Sequence, residues 1–214
     1  MDSDLRLAER AATVGAELRS AALRQRLRAG LLDQEKIELL AYCGDRAAQE
    51  LVECRWCCEH MHAPPMITPA LRDCPLCGAC LPKANLGDFV HGLLRWGKPV
   101  MIRGALAVVE LALSALIRER HMLVYLADYQ PLLEPIKKYL QNPNLESEQE
   151  AIPGNGHPID PAFVWELRRE IYYGDGLPGA YAREACHDAC RVEDEHRLGQ
   201  AARTSLTSWA MEGV

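Results

Sequence analysis

The first long stretch of the chain, residues 4–29, carries Ala, Leu and Arg at helix-favouring density without a proline, and Gly30 stands where such a helix would stop. One long helix is predicted there. Asp33 then opens a short helix with apolar positions at Ile37, Leu39, Leu40 and Tyr42, which Gly44 ends before Asp45 caps another over residues 46–53. The two form a helical hairpin. From Cys54 to Pro82 the pattern changes to prolines, six cysteines and little helical periodicity, as in a loop module stapled by metal. Helical pattern resumes near Leu86 and is punctuated by Gly97, Lys98 and Pro99. The run from Val100 to Arg120 is apolar almost all round, which predicts a helix at the centre of a core.

A further helical stretch is interrupted by Pro131 and Pro135, and residues 142–161 (NPNLESEQEAIPGNGHPIDP) are dense enough in Pro, Gly, Asn and Glu to read as a linker or exposed loop. Two more helices follow, Pro161 to Tyr173 and Pro178 to about Met211, parted by Gly174, Asp175 and Gly176. No segment alternates with period two over a useful length, so strands are expected only inside the cysteine module. The segments are then N-terminal helices over 1–53, a zinc-binding module over 54–82, central helices over 83–141, a linker or loop over 142–160 and C-terminal helices over 161–214. The hairpin KIELLAYCGDRAAQELV resembles the helix pairs of bacterial HEAT-like repeat proteins, in which a Gly-Asp turn joins two short amphipathic helices, and WGKPVMIRGALAVVELAL has a similar character. The fold class expected is mainly α, either an irregular helical bundle or a short helical-repeat array, with a zinc-ribbon-like module inserted. No strict period repeats, so a regular solenoid is not implied.

Composition changes this picture little. A chain of 214 residues with 49% hydrophobic and 25% charged residues is ordinary for a globular protein. The formal net charge of −6 gives no global drive toward nucleic acid or anionic membrane. The N-terminus is acidic where a signal peptide would be basic, and the most apolar stretch, Gly104 to Ile117, is broken by Glu110 and shorter than the roughly 20 residues of a membrane span. A cytoplasmic protein with no membrane segment is expected. Nine cysteines are an odd number for a disulfide framework, and in a reducing compartment clustered cysteines bind metal more often than one another.

Cys54 and Cys57 form one C-x2-C pair and Cys74 and Cys77 a second, with sixteen residues between. Each pair can curl a tight turn around one ion, and the intervening loop is long enough to present the second pair from the opposite side of a tetrahedron. CPLCG, over Cys74 to Gly78, resembles the knuckle of zinc-ribbon and rubredoxin-like modules, where proline shapes the turn and glycine lets backbone amides approach the sulfurs. The expected cofactor is Zn2+, held by Cys54, Cys57, Cys74 and Cys77 in a closed, structural site. Cys58, Cys80, His60 and His62 are neighbouring donors that could replace one of the four. Cys74, Cys77 and Cys80 near Pro82 partly resemble a ferredoxin ligand run, but position 84 is Ala where the usual fourth cysteine is needed.

Cys186 and Cys190, with His187 between them and His196 beyond, fall on a predicted helix and could form a second metal site or a redox pair. The competing reading is a small-residue packing stripe of Ala182, Ala185, Cys186, Ala189 and Val192, in which cysteine acts as a small hydrophobe. His91 and His121 read as core or boundary residues, and His157 lies in a loop without an accompanying nucleophile. Cys43 closes a helix before a turn. The chain has none of the phosphate-loop, dinucleotide, nucleophile-elbow or zincin motifs. Arg19, Arg24, Arg26 and Arg28 make the end of the first helix basic, as the helix dipole favours.

These features point to a zinc-stabilised helical adaptor or scaffold that binds another protein, rather than to an enzyme, with self-association also compatible. Trp56, Met61, Pro64, Pro65 and Met66 around the knuckles are the candidate contacts. One alternative is a thiol- or iron–sulfur-based redox enzyme or sensor using Cys58 and Cys80. Another is a nucleic-acid-binding regulator that uses the arginine-rich first helix.

Overall fold

The computed structural model describes residues 15, 17–52, 85–120, 130–151, 162–173 and 178–212, and these are mainly α-helical, with no strand among them. The chain divides into two compact units, one of Met1–Pro82 with Thr207–Val214 and one of Lys83–Leu206. An irregular helical bundle fits the described residues.

In the first unit, α1 covers residues 17–28. It ends on Gly30, whose φ of 69° lets the Leu31 amide reach back to the Arg26 carbonyl at 2.9 Å and the Gly30 amide to Leu27 at 3.1 Å. The same device closes α2 (Gln34–Tyr42) at Gly44, where the Asp45 amide reaches Leu40 and the Gly44 amide reaches Ala41, each at 3.0 Å. Asp33 caps α2 by accepting from the Lys36 amide at 2.7 Å, and Asp45 caps α3 (Arg46–Gln49) by accepting from Ala48 at 3.2 Å. The predicted hairpin is present, although α3 tightens into a turn after Gln49 and stops short of residue 53. Arg19 Nε donates to Asp45 Oδ2 at 2.7 Å and Ser20 Oγ to Glu50 Oε2 at 2.8 Å, tying α1 to the caps of the hairpin over a core of Leu23, Ile37, Leu40 and Ala48.

The second unit contains α4 (Leu86–Gly92), a 3-10 turn (Leu93–Trp96), α5 (Lys98–Arg120), α6 (Gln130–Gln141), α7 (Leu145–Glu150), α8 (Ala162–Tyr173), α9 (Ala180–Ala189) and α10 (Glu195–Glu212) as far as Leu206. Helix α5 is central, as its all-round apolarity predicts, and α4, α6, α8 and α9 pack against it. Met101, Ile102, Ala105, Val108, Val109, Ala112 and Leu113 are completely buried. Gly104 allows close approach: a Cβ there would fall 2.6 Å from Leu93 Cδ1 and 3.3 Å from Leu206 Cδ1. The helix is longer than the apolar stretch predicts. Lys98–Arg118 is long and apolar enough to cross a membrane: its most apolar 18 residues have mean hydropathy 2.0, and 61% of them are buried inside the fold, as in a core helix.

Three expectations are corrected. Pro135 does not interrupt the helix but sits inside α6, where it removes one hydrogen bond near the helix start. The burial of Leu133, Ile136 and Tyr139 along one stripe offsets that loss. Of the expected linker over 142–160, residues 145–150 form α7, because Asn144 and Ser147 make a reciprocal capping box and Ala151 is fully buried at its end; residues 152–160 lie outside the described residues. The single last helix predicted from Pro178 is two helices, since Asp194 accepts from the Arg197 amide at 3.1 Å and so starts α10 afresh.

Helix α9 begins unusually. Gly179 at its N-cap has φ 79° and no capping side chain of its own, and a Cβ there would meet His91 Cδ2 at 2.3 Å. The cap comes from α8. Glu170 is fully buried, and its carboxylate accepts from the backbone amides of Gly179 at 2.8 Å, Tyr181 at 3.0 Å and Ala182 at 3.1 Å. A buried charge without a partner costs several kcal/mol, so the free amides and positive dipole end of α9 are the compensation that lets Glu170 stay inside. Replacing Glu170 by Gln puts an amide group in place of one acceptor among three donors. We expect the unfolding free energy to fall by about 1–3 kcal/mol in a denaturant titration, with no comparable loss for Glu184→Gln at an exposed position of α9.

Candidate functional site

Cys54, Cys57, Cys74 and Cys77 lie outside the described residues, as do Cys58, Cys80, His60, His62 and the contact candidates Trp56, Met61, Pro64, Pro65 and Met66. His121 and His157 lie outside them too. The basic end of α1 is partly engaged within its own unit: Arg19 pairs with Asp45, and Arg26 Nη2 donates to the Met211 carbonyl at 2.9 Å. Arg24 and Arg28 are exposed.

The second metal or redox candidate is reorganised by the break before α10. Cys186 lies in α9 and Cys190 is its C-cap, while His196 is on α10. Cys186 is buried in the predicted small-residue stripe with Ala182, Ala185 and Ala189. Burial, with the neighbouring Cys190 thiol adding to it, pushes the Cys186 thiol far above the ordinary range. The Cys190 thiol is raised as well, by partial burial and then by the carboxylates of Glu195 and Asp194. A raised thiol is a poor nucleophile at neutral pH, so the packing reading holds for Cys186. Cys43 is likewise buried, at the end of α2.

Two other groupings lie on the second unit. Trp165, Arg169 and Tyr173 follow one another at helical spacing along α8, and with Tyr181 of α9 they line a cavity of about 330 Å3. The Arg169 guanidinium stands 4.4 Å from the centre of the Tyr181 ring and also donates to Glu166 at 3.1 Å. Tyr173 is 51% exposed, and its ring meets Tyr172 edge-on at 4.5 Å. Tyr181 reaches this position because its own amide is bound to Glu170.

The outer face of α9 forms one wall of a second cavity, of about 530 Å3, whose lining includes Glu184, His187, Cys190, Glu195 and Leu86. On that helix Glu184, His187 and Asp188 bring one imidazole nitrogen and two carboxylate oxygens within 4.8 Å of one another. Of these three, sequence reasoning singled out only His187, because Cys186 and Cys190 on either side of it carry the stronger residue-type signal. The signal for the other two was present in the i, i+3, i+4 spacing of Glu184, His187 and Asp188.

The thiol chemistry has a direct check. In the folded protein at neutral pH, Cys186 and Cys43 should resist iodoacetamide while Cys190 reacts slowly. Cys190 labelling should rise with pH beyond the point at which a free thiol saturates, because its thiolate forms late. Peptide mass spectrometry with and without denaturant reads this out, and rapid native labelling of Cys186 would contradict it. No family model matches the chain, and no match is found among curated proteins or among solved structures.

Proposed function

We propose that the chain is a zinc-stabilised helical adaptor that captures another protein. The observation that carries this reading is the face formed by Trp165, Arg169, Tyr173 and Tyr181. Trp, Tyr and Arg are the side chains that dominate protein–protein binding energy, because each buries a large area at low entropic cost. Here the arginine is already held over Tyr181 and by Glu166, so a partner would find it ordered beforehand.

The zinc part of the reading rests on the donor set. Four thiolates in two C-x2-C pairs match a tetrahedral zinc ion and leave no position for water, so Cys54, Cys57, Cys74 and Cys77 would hold a structural Zn2+ that folds the segment between them. Trp56, Met61, Pro64, Pro65 and Met66 would then stand on a rigid loop as further contacts. A reducing cytoplasm would keep those thiols available to metal.

A photo-crosslinking residue at Tyr173 in the native host should give a discrete adduct with one partner protein. That adduct should disappear in Trp165→Ala and Arg169→Ala, while the same probe at the exposed Leu145 gives none. Identical adducts at both positions, or adducts indifferent to Trp165, would overturn the docking face, and an adduct at twice the chain mass would assign the face to self-association instead. Elemental analysis of the purified protein should find zinc that is lost in Cys74→Ser and Cys77→Ser. Unchanged zinc content in both variants would remove the metal part of the reading.

A further inference from the structure

We infer that Glu184, His187 and Asp188 form a second, open metal site for a divalent transition ion of the zinc class, facing the cavity between α9 and the start of α4. Three features carry it. The donor atoms lie within 4.8 Å of one another, and a tetrahedral ion with bonds of about 2.0–2.1 Å would hold them about 3.3–3.4 Å apart. Glu184 and His187 are exposed on a regular helix, so rotamer changes alone can close that gap without moving the backbone. The spacing places all three side chains on adjoining turns of one face, which the ion would clip together.

The competing interactions are weak. The Glu184 side chain makes no hydrogen bond or ion pair among the described residues. Asp188 Oδ1 is 4.0 Å from His187 Nδ1 and 3.0 Å from Arg191 Nη1, and Arg191 is 69% exposed. The Asp188 side chain is itself only 13% exposed, so the ion competes with a pair whose arginine is in solvent and whose carboxylate is largely covered. One nitrogen and two oxygens suit borderline ions such as zinc better than calcium or magnesium, which prefer all-oxygen sites. Three protein ligands leave at least one coordination position. Glu184 and His187, though not Asp188, line the cavity of about 530 Å3, whose volume can accept a water or a small ligand on the metal. The site shares no residue with the four-cysteine module and stands or falls separately from it.

The experiment uses the full chain with its zinc content measured beforehand. Zn2+ is titrated in by calorimetry, while the imidazole nitrogens of 15N-histidine-labelled protein are followed by NMR. One further equivalent should bind, with a shift of the His187 ring nitrogens that identifies the ligating one. Removing a direct ligand should weaken this step at least about tenfold, as even second-shell losses reach that size, in both His187→Ala and Glu184→Gln. Both positions are exposed, so both variants should keep the parent circular dichroism and melting temperature in the absence of added metal. His196→Ala, on α10, should leave the step intact. The inference is overturned if the added equivalent survives in His187→Ala, if it is lost with His196→Ala, or if no binding step is seen beyond the zinc present at purification.

Discussion

The buried carboxylate of Glu170, shared among three amides at the start of α9, is the constraint on which the second unit's surface depends. It fixes where α9 begins, because Gly179 supplies no capping side chain and tolerates no Cβ against His91. It also sets how α9 lies on α8, since the acceptor belongs to one helix and the donors to the other. Through Tyr181, whose amide it binds, the same carboxylate brings an aromatic ring under Arg169. The cavity-facing side of α9 then follows from helical geometry: Ala180, Arg183, Glu184, His187 and Cys190 recur at spacings of three and four. One polar interaction therefore positions two surfaces of different chemistry. An ionic group in the core is usually a poor source of stability, and here its use is orientation.

Much of this fold was legible in the sequence where a local signal had a local cause. Gly30 and Gly44 end helices by adopting positive φ, and Asp33 and Asp45 begin them with side-chain caps. The apolar run after Pro99 becomes a buried helix because only Arg103 and Glu110 put charges along it before Arg118, and Glu110 finds Lys137 at 3.1 Å. The failures share a form. Prolines in α6 and the Pro/Asn/Glu composition around α7 look like breakers, yet a proline one turn into a helix loses one hydrogen bond, and a stripe of buried Leu, Ile and Tyr outweighs it. Asn144 with Ser147 is a helix start as specific as Asp33, hidden by the composition around it.

The role of Glu170 was not legible at all. Its partners lie nine to twelve residues away in sequence, across a turn, and are backbone amides, which leave no mark on residue identity. Only Gly179 hints at it. Along α9 the same limit acts in reverse: Cys186 and Cys190 attract a chemical reading by residue type, and burial removes it from the first of them. The donors that remain available are those on the opposite face, where solvent reaches the side chains.

That division between faces follows from how a helix serves a small bundle. The side of α9 that meets α5 and α8 must be small and apolar, and Ala182, Ala185, Cys186 and Ala189 meet that demand at zero to one per cent exposure. Small residues there bring the backbones close, so the amides of α9 can reach a carboxylate on α8. The outward side carries no such restriction and collects Arg183, Glu184, His187 and Arg191. A thiol buried among alanines is chemically quiet, whereas an imidazole one residue later, with a carboxylate three residues before it and another directly after, keeps its donor atoms in reach of solvent. Chemistry on this helix therefore sorts by face rather than by residue type, and a rotation of about 100° separates the packing cysteine from the solvent-facing histidine that follows it.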